Sequence, residues 1–189
     1  MWDTGSVATM AAMFYNATYF DGDVSSLDTS NVIDMQNMFK DATSFNGDLS
    51  KWDTSKVENM YMMFSGASSF SSDISAWDTG SVENMESMFY NAQAFDSDLS
   101  QWNTTSVQYM DRMFYNATSF GQCGTINFSH EMALIGSTFV NSNCTLSEEI
   151  VQFEARMSPI SPIPASGSWV RTNFMYFSFL LGLSLWLWI

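Results

Sequence analysis

Positive charge, histidine and cysteine are all scarce in this chain, and each shortage excludes a class of function. Only 6 of the 189 residues are Lys or Arg, whereas 20 are Asp or Glu, so the formal net charge is −14. That charge repels phosphate backbones, which excludes nucleic acid as a partner. His130 is the single histidine, and no nucleophile–base pair or phosphate-binding loop occurs. The sequence therefore predicts a protein that is not an enzyme and that needs no cofactor.

Two cysteines, Cys123 and Cys144, are too few for a disulfide framework but enough for one bridge. We predict that they form a disulfide. The repeat described below places Cys144 beside Ser119 rather than beside Cys123, so the bridge requires the chain to turn at Gly121 and Gly124. A Cα separation above about 7 Å would exclude it.

Proline and long apolar runs are confined to the end of the chain. All three prolines lie in a Pro/Ser-rich segment that we interpret as an extended linker over residues 155–173. Residues 174–189 are all apolar, aromatic, Gly or Ser, which predicts a C-terminal membrane anchor. Sixteen helical residues span only about 24 Å of a hydrocarbon core of about 30 Å. The small residues Ala165, Ser166 and Gly167 precede this segment, as in a glycosylphosphatidylinositol attachment signal. A single membrane span and a buried apolar tail remain as alternatives.

What the sequence has in abundance is a 25-residue repeat, present in five copies over residues 1–126 without insertion or deletion. Five columns carry most of the pattern: Trp2, Leu27, Trp52, Trp77, Trp102; Thr4, Thr29, Thr54, Thr79, Thr104; Met10, Met35, Met60, Met85, Met110; Phe14, Phe39, Phe64, Phe89, Phe114; Phe20, Phe45, Phe70, Phe95, Phe120. A fixed period of this length is typical of stacked repeats that bury their apolar faces against each other. Residues 127–154 keep Phe139 and Asn141 in register, which predicts a degenerate capping repeat.

Each repeat predicts one short strand and one short helix. In residues 52–76 the apolar stripe Val57, Met60, Met63/Phe64 and Ala67 has helical spacing. Asp53, Thr54 and Ser55 before it are suited to capping a helix. The column Asn16, Asp41, Gly66, Asn91, Asn116 tolerates a left-handed backbone, as a helix C-terminus often needs. The remaining extended stretch with one aliphatic residue predicts a strand.

The motif W-D-T-S-x-V-x-x-M-x-x-M-F-x-x-A-x-x-F-x-x-D-[LIV]-S resembles the repeat of BspA-type leucine-rich-repeat surface proteins, over residues 2 to about 122. The resemblance implies an α/β fold, a leucine-rich-repeat-like solenoid of strand–helix coils with a parallel sheet on one face. It also implies display on a cell surface and a role in adhesion, and it brings no catalytic residues.

Other features fit secretion. Five N-x-[ST] sequons predict glycosylation at Asn16, Asn103, Asn116, Asn127 and Asn143. Met1 is followed at once by the Trp of the first repeat, without the apolar stretch of a signal peptide. We therefore expect an N-terminal signal peptide, and an unknown number of earlier repeats, to be missing from this sequence.

Two carboxylate columns predict different chemistry. Asp3, Asp28, Asp53 and Asp78 suit the capping of backbone N–H groups. Asp23, Asp48, Asp73 and Asp98 would repel each other along a stack, and clustered carboxylates are ligands for calcium. Calcium between coils is therefore a second hypothesis for that column, although it ends at Cys123.

Taken together, these features predict a membrane-anchored, non-enzymatic cell-surface protein that acts in adhesion or recognition through the repetitive face. Its partner would be an extracellular protein or glycan. The alternative is a structural wall or matrix component organised by calcium.

Overall fold

The backbone has the same 25-residue period as the sequence. The computed structural model describes residues 2–122 and 138–144, and within them the repeats form coils that lie on top of one another. We number them coil 1 (residues 2–26), coil 2 (27–51), coil 3 (52–76), coil 4 (77–101) and coil 5 (102–122). Parallel β-bridges join residues one period apart, from Thr9 to Asp34, Asn59, Asn84 and Tyr109 in turn. The coils therefore stack in exact sequence register.

The expected α/β leucine-rich-repeat-like solenoid is wrong. Residues 2–122 and 138–144 contain no helix, and their only β-structure is the single row of isolated bridges, so there is no parallel sheet on one face. The segments predicted as helices are runs of consecutive turns instead. In coil 1 the N–H groups of Met13, Tyr15 and Ala17 each donate to the carbonyl oxygen three residues earlier.

Turns form here instead of the predicted helix because alternate backbone N–H groups point along the stack, toward the next coil. Those of Met10, Ala12, Phe14 and Asn16 donate to carbonyl oxygens of coil 2, at 2.7–2.9 Å. A helix would need the same groups for bonds to the carbonyl four residues earlier. The pattern recurs in the following coils, so neighbouring coils satisfy each other's backbone rather than their own.

This arrangement needs two left-handed residues in every coil. The first left-handed column is the one that contains Asn16. Its non-glycine residues have φ values of 57–59°, and Gly66 has a φ of 75°. The left-handed backbone expected there is present, but it lies inside a run of turns rather than at a helix end. The second column was not foreseen: Ala12, Asn37, Met62, Ser87 and Arg112 have φ values of 52–57°.

Aromatic ladders fill the interior. Phe39, Phe64, Phe89 and Phe114 stack on one another at centroid distances of 5.5–5.7 Å, and Phe139 continues the ladder at 5.5 Å from Phe114. Each of these rings from Phe39 to Phe114 also stacks at 3.9–4.0 Å on the second Phe of its own coil. Methionines of the repeat pack around them in one continuous core. Each coil thus buries its apolar side chains against its neighbours.

The Trp and Thr columns are also structural. The indole N–H groups of Trp52, Trp77 and Trp102 each donate to the backbone carbonyl 28 residues earlier at 3.1–3.2 Å, and all three rings are buried. The hydroxyl of Thr79 accepts from the N–H of Asn103 at 2.9 Å and donates to its carbonyl at 3.0 Å. Thr29 makes the same pair of bonds to Asp53. Buried side chains of this kind are closed to an external ligand.

Candidate functional site

Both carboxylate columns form turns with their own coil. Asp23, Asp48, Asp73 and Asp98 are exposed, and each accepts a hydrogen bond at 2.9 Å from the N–H of the serine two residues later. Asp28 and Asp53 bind the corresponding serine through both its N–H and its hydroxyl. These are Asx-turn bonds. Within residues 2–122 and 138–144, no three acidic, His or Cys side chains come together as a metal site.

These hydrogen bonds stabilise the ionised carboxylates. The hydroxyl and then the N–H of Ser30 lower the pKa of Asp28, and Ser55 lowers the pKa of Asp53 in the same order. The pKa of Asp23 and of Asp73 is lowered chiefly by a serine hydroxyl, and that of Asp48 chiefly by a backbone N–H. Hydrogen bonding to the charged form is the common cause. The serine partners therefore stabilise the ionised form of these five aspartates.

The predicted covalent sites fall partly within the described residues. Cys144 is disulfide-bonded, whereas its predicted partner Cys123 lies outside them. Among the sequons, Asn16, Asn103 and Asn143 are exposed. The amide of Asn116 is half-buried and donates to Asn91 at 2.8 Å. Asn127 is outside the described residues.

The predicted linker and anchor, including Ala165, Ser166 and Gly167, also lie outside the part of the chain that the structure describes. In that part, the structure contains no helical segment with the length and hydrophobicity of a membrane span.

Two neighbouring columns in the run of turns differ from the core columns in being variable. The core columns and the exposed Asp columns repeat the same residue from coil to coil, but these two columns carry different side chains at equivalent positions. One outward column reads Tyr15, Lys40, Ser65, Tyr90, Tyr115, and its neighbour reads Ala12, Asn37, Met62, Ser87, Arg112. A constant scaffold therefore presents a surface that is specific to each coil.

One depression interrupts this surface at coil 3, and we call it the Ser65 depression. Its floor consists of the small residues Ser65, Gly66 and Ser87, and its volume is about 350 Å³. Lys40 and Asp41 line it from coil 2, Tyr90 and Asn91 line it from coil 4, and the rest of the lining is Met62 and Arg112. It exists because coil 3 has Ser65 and Gly66 where the neighbouring coils have larger residues.

The backbone at Gly66 brings an acidic group into the depression. Its φ of +75° favours glycine, and a Cβ atom there would collide with the carboxylate of Asp41. That carboxylate therefore lies over Gly66. The recurring columns of the sequence do not indicate the depression, because its signal is the loss of a recurring residue: Ser65 replaces the large residue of its column and Gly66 replaces Asn or Asp.

Comparison with known proteins places the chain in a family. A sequence profile described as "Mycoplasma protein of unknown function, DUF285" matches residues 1–75 and again residues 49–145. No curated protein and no solved structure matches the chain. The finer resemblance to BspA-type leucine-rich repeats stays a prediction. Because the two matches together cover more than half of the 189 residues, the chain belongs to the DUF285 family of repeat proteins.

Proposed function

We propose that the chain is a non-enzymatic recognition or adhesion module, which binds an extracellular protein or glycan through the outward turns of the coil stack. The observation that carries this proposal is the contrast between the constant core columns and the variable columns that begin at Ala12 and Tyr15. A matrix component that packs through a repeating lattice would use columns that are the same in every coil, as the exposed Asp columns are. Recognition of one partner needs different residues at defined positions, which the exposed turns provide.

Two further observations support the proposal. Backbone hydrogen bonds link the coils at each step, so the outward side chains stand on a preorganised scaffold and binding needs little ordering. The sequence also resembles surface repeat proteins of the BspA type. We place the module at the cell surface, held there by residues 174–189 as a lipid-linked or single-span anchor.

The binding face is tested with the full chain displayed on cells and probed with a panel of extracellular proteins and glycans. The variant Tyr61→Ala/Glu86→Ala removes outward side chains from the turns of coils 3 and 4. Lys51→Ala/Gln101→Ala is the matched control, because these exposed residues lie in the separate turn that ends each coil. We expect only the first variant to weaken binding. Equal loss in both, or no partner at all, would contradict the proposal.

The anchor is tested by expressing the chain behind a heterologous signal peptide in eukaryotic cells, with an internal tag, and adding phosphatidylinositol-specific phospholipase. Release into the medium indicates a lipid-linked ectodomain, whereas retention at the surface indicates a single span. Absence from the surface would overturn the surface assignment. A calcium-dependent rise in melting temperature would favour a structural component instead.

A further inference from the structure

The ammonium group of Lys40 lies at the edge of the Ser65 depression without an acidic partner. Its Nζ atom is 3.3 Å from the sulfur of Met62 and 5.7 Å from the centroid of the Tyr15 ring. In the described part of the chain it forms no ion pair, although the chain as a whole has a net charge of −14. A thioether is a weak acceptor, so an anion would be a stronger partner for this half-buried cation.

Two serine hydroxyls on the floor are also unused by the protein. Ser65 and Ser87 are 5% and 3% exposed, yet neither hydroxyl makes a hydrogen bond within residues 2–122 and 138–144. Every fully buried side-chain oxygen in those residues has a partner, so these two hydroxyls open onto the depression. A ligand rich in hydroxyl groups would replace the water that satisfies them. The Asp41 carboxylate and the Asn91 amide, which also line the depression, add acceptors and donors.

The wall formed by Tyr90 offers an aromatic face. One side of its ring stacks on Tyr115 at a centroid distance of 5.0 Å and an interplanar angle of 9°. The opposite side faces coil 3, where the column has Ser65 instead of a large residue. A sugar ring presents its C–H groups on one face, and that face packs on an aromatic ring while the hydroxyls at its rim bind polar groups.

We infer that the Ser65 depression binds a saccharide that carries a carboxylate group. Lys40 would pair with the carboxylate, Ser65 and Ser87 would bind hydroxyls, and Tyr90 would pack on the ring. Arg112 lies at the far end of the depression, where its exposed side chain forms an ion pair with Asp111 at 3.7 Å. The volume of about 350 Å³ lies at the lower end of the usual range of about 300–1,000 Å³ for ligand sites, which suits one or two sugar units. This inference rests on the proposed recognition function and names its ligand class.

The test is binding of digalacturonate to the full chain by saturation-transfer NMR and calorimetry, with neutral galactobiose as the matched ligand. We expect digalacturonate to bind and galactobiose to bind about tenfold more weakly, because one charge-assisted hydrogen bond is lost. Lys40→Gln should weaken digalacturonate binding by about the same factor. Equal binding of the two sugars, or displacement by acetate at equal concentration, would overturn the inference.

The variant Ser65→Tyr tests the depression separately from the rest of the outward surface. It restores the residue of Tyr15, Tyr90 and Tyr115, so it fills the depression while continuing an existing aromatic column. Ser69→Tyr is the control, because Tyr19 occupies that exposed column in coil 1 and Ser69 lies outside the depression. Digalacturonate should bind the control but not Ser65→Tyr. Circular dichroism should show that both variants are folded.

The outcomes distinguish this inference from the broader proposal. Suppose that Ser65→Tyr adheres to the partner and binds digalacturonate as well as the wild-type chain does. The depression is then not the binding site, and the recognition function stands. If an acidic peptide binds the depression as tightly as digalacturonate, the saccharide class is wrong. If no extracellular partner binds the wild-type chain, the proposed function itself fails.

Discussion

Single buried hydroxyl groups hold neighbouring coils together. Thr79 is 1% exposed, and its hydroxyl binds both backbone groups of Asn103 in the next coil. Thr79→Val keeps the shape but leaves that N–H and carbonyl without partners, so we expect the free energy of unfolding to fall by about 1–3 kcal/mol. Urea denaturation measures this change.

The matched control for that prediction is Thr43→Val. The Thr43 hydroxyl also binds a backbone carbonyl of an adjacent coil, that of Thr18 at 3.1 Å, but Thr43 is exposed. Water can replace the lost bond there, so the expected change is within about 0.5 kcal/mol. Equal losses for the two variants would show that burial of the hydroxyl has no part in joining the coils.

The Asp–Ser turns make stability depend on pH. Ser55 lowers the pKa of Asp53 below its ordinary value of 3.8, so the folded state binds its proton less readily than the unfolded chain does. The resulting stabilisation is present at neutral pH and is lost as the pH falls from 3.8 through the lower folded-state pKa. We expect Ser55→Ala to raise the pKa of Asp53, as measured by carboxyl ¹³C NMR titration.

A second serine serves as the control for the titration. The hydroxyl of Ser68 binds the Thr43 carbonyl at 3.3 Å and no carboxylate, so Ser68→Ala should leave the Asp53 titration in place. An Asp53 pKa that is unchanged in Ser55→Ala would mean that the turn bond does not stabilise the carboxylate in solution.

At the scale of the coil, the left-handed turns can be distinguished from a helix by glycine substitution. Ala12 is exposed and has a φ of 57°, a conformation that costs a non-glycine residue roughly 1–2 kcal/mol. Ala12→Gly removes that cost, so we expect stability to be unchanged or higher. In a helix the same substitution would lower stability by about 1 kcal/mol. Thermal denaturation decides between the two.

Ala8→Gly is the control in the same coil. Ala8 is exposed and its φ is not positive, so glycine there only adds freedom to the unfolded chain and should cost about 0.5–1 kcal/mol. If Ala12→Gly destabilises the chain as much as Ala8→Gly does, the left-handed conformation assigned to Ala12 is wrong.

The sequence predicted the coils but not their conformation. The length of the coils, their register and the buried columns all follow from the repeat, because equivalent residues of adjacent coils must pack against each other. The spacing of Val57, Met60, Phe64 and Ala67 indicated a helix, but consecutive turns place side chains on one side at the same intervals. Left-handed residues decide between the two, and Ala12 or Met62 gives no sequence signal for that conformation.

The candidate site was less predictable than the scaffold. Columns such as Asp23, Asp48 and Asp73 recur in the sequence, and the structure places them in local turns with serine. The Ser65 depression depends on which side chains are small in one coil and large in the next. That information becomes visible only when the coils are aligned in space and the carboxylate of Asp41 is found over Gly66.

At the scale of the whole molecule, stability should come from coil–coil interfaces that are nearly equivalent. Deleting residues 52–76 removes one coil and joins coil 2 to coil 4 in register. Trp77 would then take the place of Trp52, with its indole N–H donating to the Val24 carbonyl in place of that of Leu49. We expect the shortened chain to unfold cooperatively, with a urea m-value lower by about a fifth.

Deleting only residues 52–63 is the corresponding control. It removes half a period, so Phe and Met columns of coil 2 would face polar turn positions, and the alternate N–H groups would no longer meet carbonyl oxygens of the next coil. A register shift of one residue already moves the side chains of a paired strand to its opposite face. A shift of half a period would disrupt every column at once. We expect this variant to lose cooperative unfolding by circular dichroism. If it unfolds as cooperatively as the whole-coil deletion, stability does not depend on exact register between the coils.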